Sequence, residues 1–200
     1  LTEKELKEHL QLLEEAQRNN EFIGILSQNN SAIENPTQKD LYQTGTLAKI
    51  IKIIKLPEGN VTAITKGFQR FKIKTFTATK PYFKAEITKL KDVASKKTEE
   101  YNALLENIKD LAVKIIDLDP NIPNAANFAI KNMSDPEDLL NFICTNANFT
   151  SGDKQKLLEE KSLLNRAQKC YELMHDDFRK LELRNQIHQK TNKELDKSQR

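Results

Sequence analysis

Residues 41–76 read LYQTGTLAKIIKIIKLPEGNVTAITKGFQRFKIKTF, and the reading of this stretch decides the fold. Leu47, Ile50, Ile51 and Ile54 recur at helical spacing with Lys49, Lys52 and Lys55 opposite them, so periodicity alone permits a helix. The isoleucines are β-branched and stiff at χ1, however, and the run ends in Leu56-Pro57-Glu58-Gly59-Asn60 before a second β-rich run, Val61 to Lys66. The stretch therefore predicts a β-hairpin. Pro57 presets φ for the turn, Gly59 or Asn60 can take positive φ, and Gly67 marks a bulge that re-aims Phe68 and Phe71.

Outward from the hairpin, more strands accumulate. Phe71 and Ile73 alternate with Lys72 and Lys74, and Phe83, Ala85 and Ile87 alternate with Lys84, Glu86 and Thr88, the pattern of half-buried strands with a charged outer face. On the other side, Phe22 to Gln28 reads as a short apolar strand followed by a polar loop. Thr2 and Glu5 have capping-box spacing, and Leu6, Leu10 and Leu13 repeat on one helical face until Asn19-Asn20, predicting an amphipathic covering helix. Four or five antiparallel strands result, whose edges must be closed or covered. The expected fold is α+β: a curled antiparallel sheet or pseudo-barrel with a covering helix, followed by an α-helical bundle and a long C-terminal helix.

Composition shifts between Val93 and Glu100, the expected lobe boundary. Leu104, Leu105, Ile108, Leu111, Ala112, Ile115 and Ile116 form a broad apolar helical face ending at Asp119-Pro120. Pro123 and Pro136 stand at first helical positions, with Asp135 as the cap before Pro136. Two short helices follow, expected to bury Phe128, Ile130, Leu139, Leu140, Phe142 and Ile143. Another runs from Gly152 to Glu160, and Ser162 caps a much longer helix. Its seam of Leu164, Ala167, Tyr171, Met174, Phe178 and Leu181 continues in register through Asn185, His188, Asn192 and Leu195, beginning apolar and turning polar. The domain reading is a β-rich lobe at 1–92, a helical lobe at 93–161 and the long helix at 162–200.

Chemistry is sparse. There is no phosphate-binding GxxxxGK[ST] loop, no GxGxxG and no GxSxG. His9, His175 and His188 lack second metal ligands at useful spacing, and Glu99-Glu100, Glu159-Glu160 and Asp176-Asp177 lie in polar helical stretches where solvated faces are expected. Cys144 and Cys170 have no CxxC spacing and read as structural, reduced thiols of a cytosol-like compartment. No catalytic, cofactor or metal residue is assigned. With 32 basic and 29 acidic side chains the charge is nearly balanced. The set Lys49, Lys52, Lys55, Lys66, Lys72, Lys74 and Lys80, interleaved with Phe68, Phe71, Phe76 and Tyr82, is the one feature that admits a nucleic-acid reading. No apolar run approaches the roughly 20 residues of a membrane span, and no signal peptide opens the chain, so a soluble cytoplasmic protein is expected. Starting at Leu1 and ending on a charged helix, the chain reads as part of a longer protein.

The segments Leu41-Tyr-Gln-Thr-Gly-Thr-Leu-Ala-Lys-Ile50, Leu56-Pro-Glu-Gly59, Lys66-Gly-Phe-Gln-Arg-Phe71 and Pro81-Tyr-Phe-Lys-Ala-Glu86, in this order and spacing, resemble the amino-terminal domain of bacterial-type ATP-dependent Lon proteases. The resemblance continues through Ile116 to Pro123 and Lys197-Ser198-Gln199-Arg200. It implies a substrate-recognition module that captures unfolded or damaged polypeptides for an ATPase module and a serine–lysine peptidase assembled as a homohexamer, with ATP and Mg bound by the full-length protein and none by this part. The family's opening strand of Leu-Pro-Leu-Arg type, with its Pro-Gly turn, does not precede Leu1, so contacts from that segment are not carried over. By residue type, the expected substrate contacts are Leu56 and Pro57 at the hairpin tip, with Phe68 and Tyr82. The alternatives are a nucleic-acid-binding module or a stand-alone adaptor with a similar β lobe.

Overall fold

In the computed structural model, which describes residues 3–55, 61–93, 98–123 and 125–198, the chain runs α1 (Glu3–Arg18), β1 (Phe22–Ile25), a 3-10 turn (Gln38–Asp40), β2 (Thr44–Lys55), β3 (Val61–Ala78), β4 (Lys84–Lys89), α2 (Glu99–Leu118), α3 (Ala125–Asn132), α4 (Pro136–Asn146), α5 (Ser151–Glu159) and α6 (Leu163–Ser198). It divides into two units, residues 1–91 and 92–200.

In the first unit the four strands form one antiparallel sheet in sequence order, and β2 and β3 pair from Lys55↔Val61 to Thr44↔Lys72 as the predicted hairpin. The turn residues Leu56–Asn60, Thr2 and the side chain of Glu5 lie outside what is described, and with them the expected turn and capping box. Laid straight, the 18 residues of β3 would span about 60 Å. Yet two adjacent residues of α1 reach both of its ends. Glu14 Oε1 takes Lys55 Nζ at 2.8 Å, beside the start of β3, and Glu15 Oε2 accepts from Tyr82 Oη at 2.6 Å, just past its finish. The sheet is therefore curled, with α1 tied across it.

The curl is made possible by glycine. Phe71, 1 % exposed, lies over Gly24 of β1 and Gly45 of β2; a Cβ at Gly45 would fall 2.2 Å from the Ile25 carbonyl oxygen and 3.1 Å from Phe71 Cζ, and one at Gly24 would fall 3.0 Å from the same Cζ. Helix α1 stops as Asn19-Asn20 predicts. Asn20 takes φ 54°, Glu21 N donates to Ala16 O at 2.9 Å and Asn20 N to Gln17 O at 3.3 Å, a Schellman turn that delivers the chain into β1. One expectation fails here: Phe83 precedes β4, is exposed, and rests its ring on Phe76 at 5.7 Å.

In the second unit α2 and α6 carry most of the core, closed by α3, α4 and α5. Caps set the boundaries. Thr98 accepts from Tyr101 N, Asp135 from Glu137 N and Asp138 N ahead of Pro136, Thr150 from Asp153 N, and Ser162 Oγ from Asn165 N. Pro123 stands before α3 rather than at its first turn, its carbonyl accepting from Ala126 N at 2.9 Å. Phe128 is 73 % exposed, not buried: two residues apart on a helix means about 200° of rotation, and Ile130 holds the inward side of α3.

On α6 the deepest seam is Leu163, Ala167, Cys170, Met174 and Leu181, while Leu164, Tyr171 and Phe178 of the expected seam flank it half-buried. Both stripes are apolar because neighbours press on α6 from more than one side. Beyond Asn185, whose amide reaches Leu118 O at 3.3 Å, residues 186–191 are exposed, as the polar turn of the seam predicts; the side chains of Asn192 and Leu195 lie outside the described residues.

Candidate functional site

The sheet's irregularities decide which apolar side chains meet water. Between Leu47 and Ala48 the partner on β3 jumps from Gln69 to Gly67, leaving Phe68 as the extra residue of a bulge. Between Ile50 and Lys52 the partner steps only from Thr65 to Ile64, leaving Ile51 as a second extra residue. Phe68 is 54 % exposed and Ile51 58 %. A bulged residue has no cross-strand partner to pack beside it, so a large apolar side chain there is turned outward.

Phe68 does not stand alone. Its ring meets Phe22 of β1 edge to face, centroids 5.4 Å apart and planes at 84°. Phe22 pairs with Lys49, and Lys49 with Lys66, so their side chains share one face of the sheet. Lys49 Nζ lies 5.1 Å from the Phe22 centroid and Lys66 Nζ 5.7 Å from the Phe68 centroid. Lys49 is further fixed by a 2.9 Å bond to Asn20 Oδ1, at the turn that ends α1. Ile64, two residues from Lys66, extends the same face and is also exposed. The result is a pair of rigid aromatic rings with an ammonium over each, worth about 1 kcal/mol for the ring pair and about as much for each exposed cation–π contact.

By strand alternation Phe22 and Lys49 lie on the face that carries Gly24, Gly45 and Phe71. The cluster thus shares the face of the sheet that carries the buried Phe71. It can offer an apolar, shape-defined contact together with positive charge, and it holds none of the acid–base or nucleophilic pairs that bond cleavage requires.

Of the residues expected to contact substrate, Phe68 is at the centre of this cluster. Leu56 and Pro57 lie outside the described residues. Tyr82 is half-buried and engaged elsewhere: its hydroxyl donates to Glu15, and Lys84 Nζ sits 5.3 Å from its ring centroid. That hydrogen bond, helped by one from Gln11, holds the Glu15 carboxyl below its ordinary range and pushes the Tyr82 phenol up. Sequence reasoning missed Phe22, whose signal was an aromatic side chain immediately after a helix stop, at the head of a short strand. The lysines read as a possible nucleic-acid surface are in part spoken for, Lys55 by Glu14 and Lys74 by Glu86 at 3.7 Å. Among the described residues no helix is long and apolar enough to cross a membrane.

Residues 5–176 match the family described as the ATP-dependent protease La (LON) substrate-binding domain. Over 192 residues the chain is 37% identical to the Lon protease of Flavobacterium johnsoniae, covering 96% of this chain and 24% of that protein. It is 37% identical over 194 residues to the Lon protease of Cytophaga hutchinsonii, again 96% and 24%. The chain thus spans about a quarter of the length of these relatives. In fold it is similar to the N-terminal domain of the Mycobacterium avium complex Lon protease, with TM-score 0.59 and 18% identity over 78% of this chain and 91% of that one. A Lon N-terminal domain protein from Xanthomonas campestris matches with TM-score 0.53 and 13% identity over 80% of each chain.

Proposed function

Because this chain belongs to the substrate-binding-domain family of the ATP-dependent Lon proteases, we propose that it captures unfolded or damaged polypeptide through the Phe22–Phe68 cluster and its flanking lysines. The observation that carries the reading is the edge-to-face pair of exposed phenylalanines held rigid at a bulge, each under an ammonium. Folded proteins hide their aromatic and branched apolar side chains; unfolded ones present them, and rigid rings engage them with little loss of side-chain entropy. Ile64 extends the contact along β3, Leu56 and Pro57 are kept as further contacts by residue type alone, and Tyr82 anchors α1 to the sheet.

On this reading the chain has no activity of its own and acts as the recognition part of a larger cytoplasmic protein. That protein's ATPase module, binding ATP and Mg, and its peptidase module receive what this part has captured. Helix α6 carries the chain from the helical unit toward those modules, in a homohexamer.

The test is binding of this chain to one protein in native and denatured forms, with DNA as control, at low and moderate salt. Selective binding of the denatured form, with weak salt dependence and at least tenfold loss in F22A/F68A, is the expected result. Equal binding of both forms, undiminished binding by the double variant, or steeply salt-dependent DNA binding alone would refute it.

A further inference from the structure

The hairpin is one-sided in charge. Strands β2 and β3 carry seven basic side chains, three on the first and four on the second, and no acidic one. Lys55 and Lys74 are answered from outside the hairpin by Glu14 and Glu86. Lys49 and Lys66 are not: among the described residues neither meets a carboxylate, and the bond that Lys49 makes is to the neutral amide of Asn20. The two stand directly opposite each other on β2 and β3, a placement in which like charges repel. Lys52, exposed and opposite Ile64, adds a third ammonium to the same face. An ammonium has three donors, so the contact with a ring, and for Lys49 the bond to Asn20, leave others for an incoming acceptor. The ring pair is thus bordered by two repelling charges that a carboxylate placed between them would relieve.

Given capture at the Phe22–Phe68 cluster, the reading proposed above, we propose that the unfolded segments taken by preference carry aspartate or glutamate beside their aromatic or branched apolar residues. The apolar side chain packs on the ring pair, and the carboxylate accepts from the Lys49 and Lys66 ammoniums in charge-assisted hydrogen bonds that also remove the repulsion of the empty site. The same ammoniums turn away segments whose apolar residues are flanked by Lys or Arg. A folded acidic protein offers the charge without the apolar side chain, and a neutral unfolded segment offers the reverse; only the combination uses both halves of the site. A polynucleotide would meet the same charge, but the rings stand at 84° with an ammonium over each, so successive bases find no parallel faces to stack on.

The probes are three short unstructured peptides with the same Phe-Leu-Phe-Ile core, flanked on both sides by Glu, by Gln or by Lys, and titrated with this chain at low and at high salt. The Glu peptide should bind about fivefold more tightly than the Gln peptide at low salt and the Lys peptide most weakly, with the three converging at high salt. In Lys49→Gln/Lys66→Gln the Glu peptide should fall to the level of the Gln peptide, whose own unchanged binding shows that the variant is folded. Lys72→Gln, at a position paired with Thr44 on the opposite face, should leave the ranking as in wild type. Equal binding of the Glu and Gln peptides, both lost in F22A/F68A, would overturn the acidic preference and leave capture standing. Peptide binding that F22A/F68A does not diminish would sink the capture reading and this preference with it. Poly-glutamate or an oligonucleotide bound as tightly as the Glu peptide would reduce the site to a general anion-attracting surface, and loss of all three peptides in the lysine variant would make the lysines supports for the rings; either result overturns the proposal.

Discussion

The two units of this chain use their apolar residues in opposite ways. In the helical unit Ile108, Leu140, Leu157, Ala167 and Met174 form one continuous core, and even a cation is enclosed there: Arg166 binds Asp92, donates to Glu160 O through Nε and Nη2 at 3.2 and 2.7 Å, and reaches Asn141. In the sheet unit the fully buried apolar residues among those described are Ala16, Ala48 and Phe71, while Phe22, Ile25, Ile51, Ile64 and Phe68 face water. A unit that buries only one large apolar side chain completely and leaves the others half-buried or exposed gains less from burial. It gains a surface. On the proposed reading, burial is concentrated in one unit and recognition in the other.

The largest expected effect tests the stable side of this contrast. Leu140 on α4 is fully enclosed within the helical core, and Leu140→Ala should cost about 4 kcal/mol through lost burial and the cavity left behind. Urea unfolding should show it, and hydrogen exchange should place the lost protection in α2, α4 and α6. A loss below about 1 kcal/mol would mean that the helical core is looser than its burial indicates. On the sheet side the sensitive point is a glycine. Gly45→Ala would drive a Cβ into the Ile25 carbonyl and the Phe71 ring, so about 2 kcal/mol of destabilisation is expected from overpacking, with exchange rising in β1 and β2. Ala at Gly152, whose Cβ would meet little but Thr150 Oγ1 at 3.9 Å, is the control.

The hairpin, the helix caps at Asp135 and Ser162, and the bulge after Gly67 were legible in the sequence because each depends on neighbours in the chain: β-branching, turn residues, a proline at a first helical position. Phe128 and Phe83 were misread for the opposite reason. Periodicity reports which side of an element is apolar, and whether anything covers that side is decided by residues far away. Phe22 was legible as a strand residue but not as half of an aromatic pair, since the bulge that turns Phe68 toward it fixes a distance that no local pattern encodes. Arg166 was invisible for the same cause: its partners are a residue ahead of α2, one on α4 and a carbonyl ahead of α6.

Phe68→Ala sharpens the contrast from the other side. The ring is more than half exposed, so its removal should cost the fold about 1 kcal/mol or less, the worth of the pair with Phe22. Binding of a denatured protein should nevertheless fall severalfold. Equal, large losses in both measurements would make Phe68 a structural residue and erase the division between the two units.

The smallest effect concerns the tie that holds α1 to the curled sheet. Tyr82→Phe removes the hydroxyl that is the largest cause of the lowered Glu15 carboxyl. A carboxyl whose folded value lies below its ordinary 4.5 stabilises the fold above that pH, and the contribution disappears as pH falls through the folded value. Wild type and variant should therefore differ slightly in Tm at neutral pH and converge in acid well below pH 4.5. Asp153, lowered by Thr150 in the helical unit, is untouched by the change and gives both proteins the same background acid loss. Glu15 is only half-buried, so high salt should also shrink the difference. A gap that widened in acid would mean that the tyrosine contributes through its ring, beneath the Lys84 ammonium, rather than through its hydroxyl.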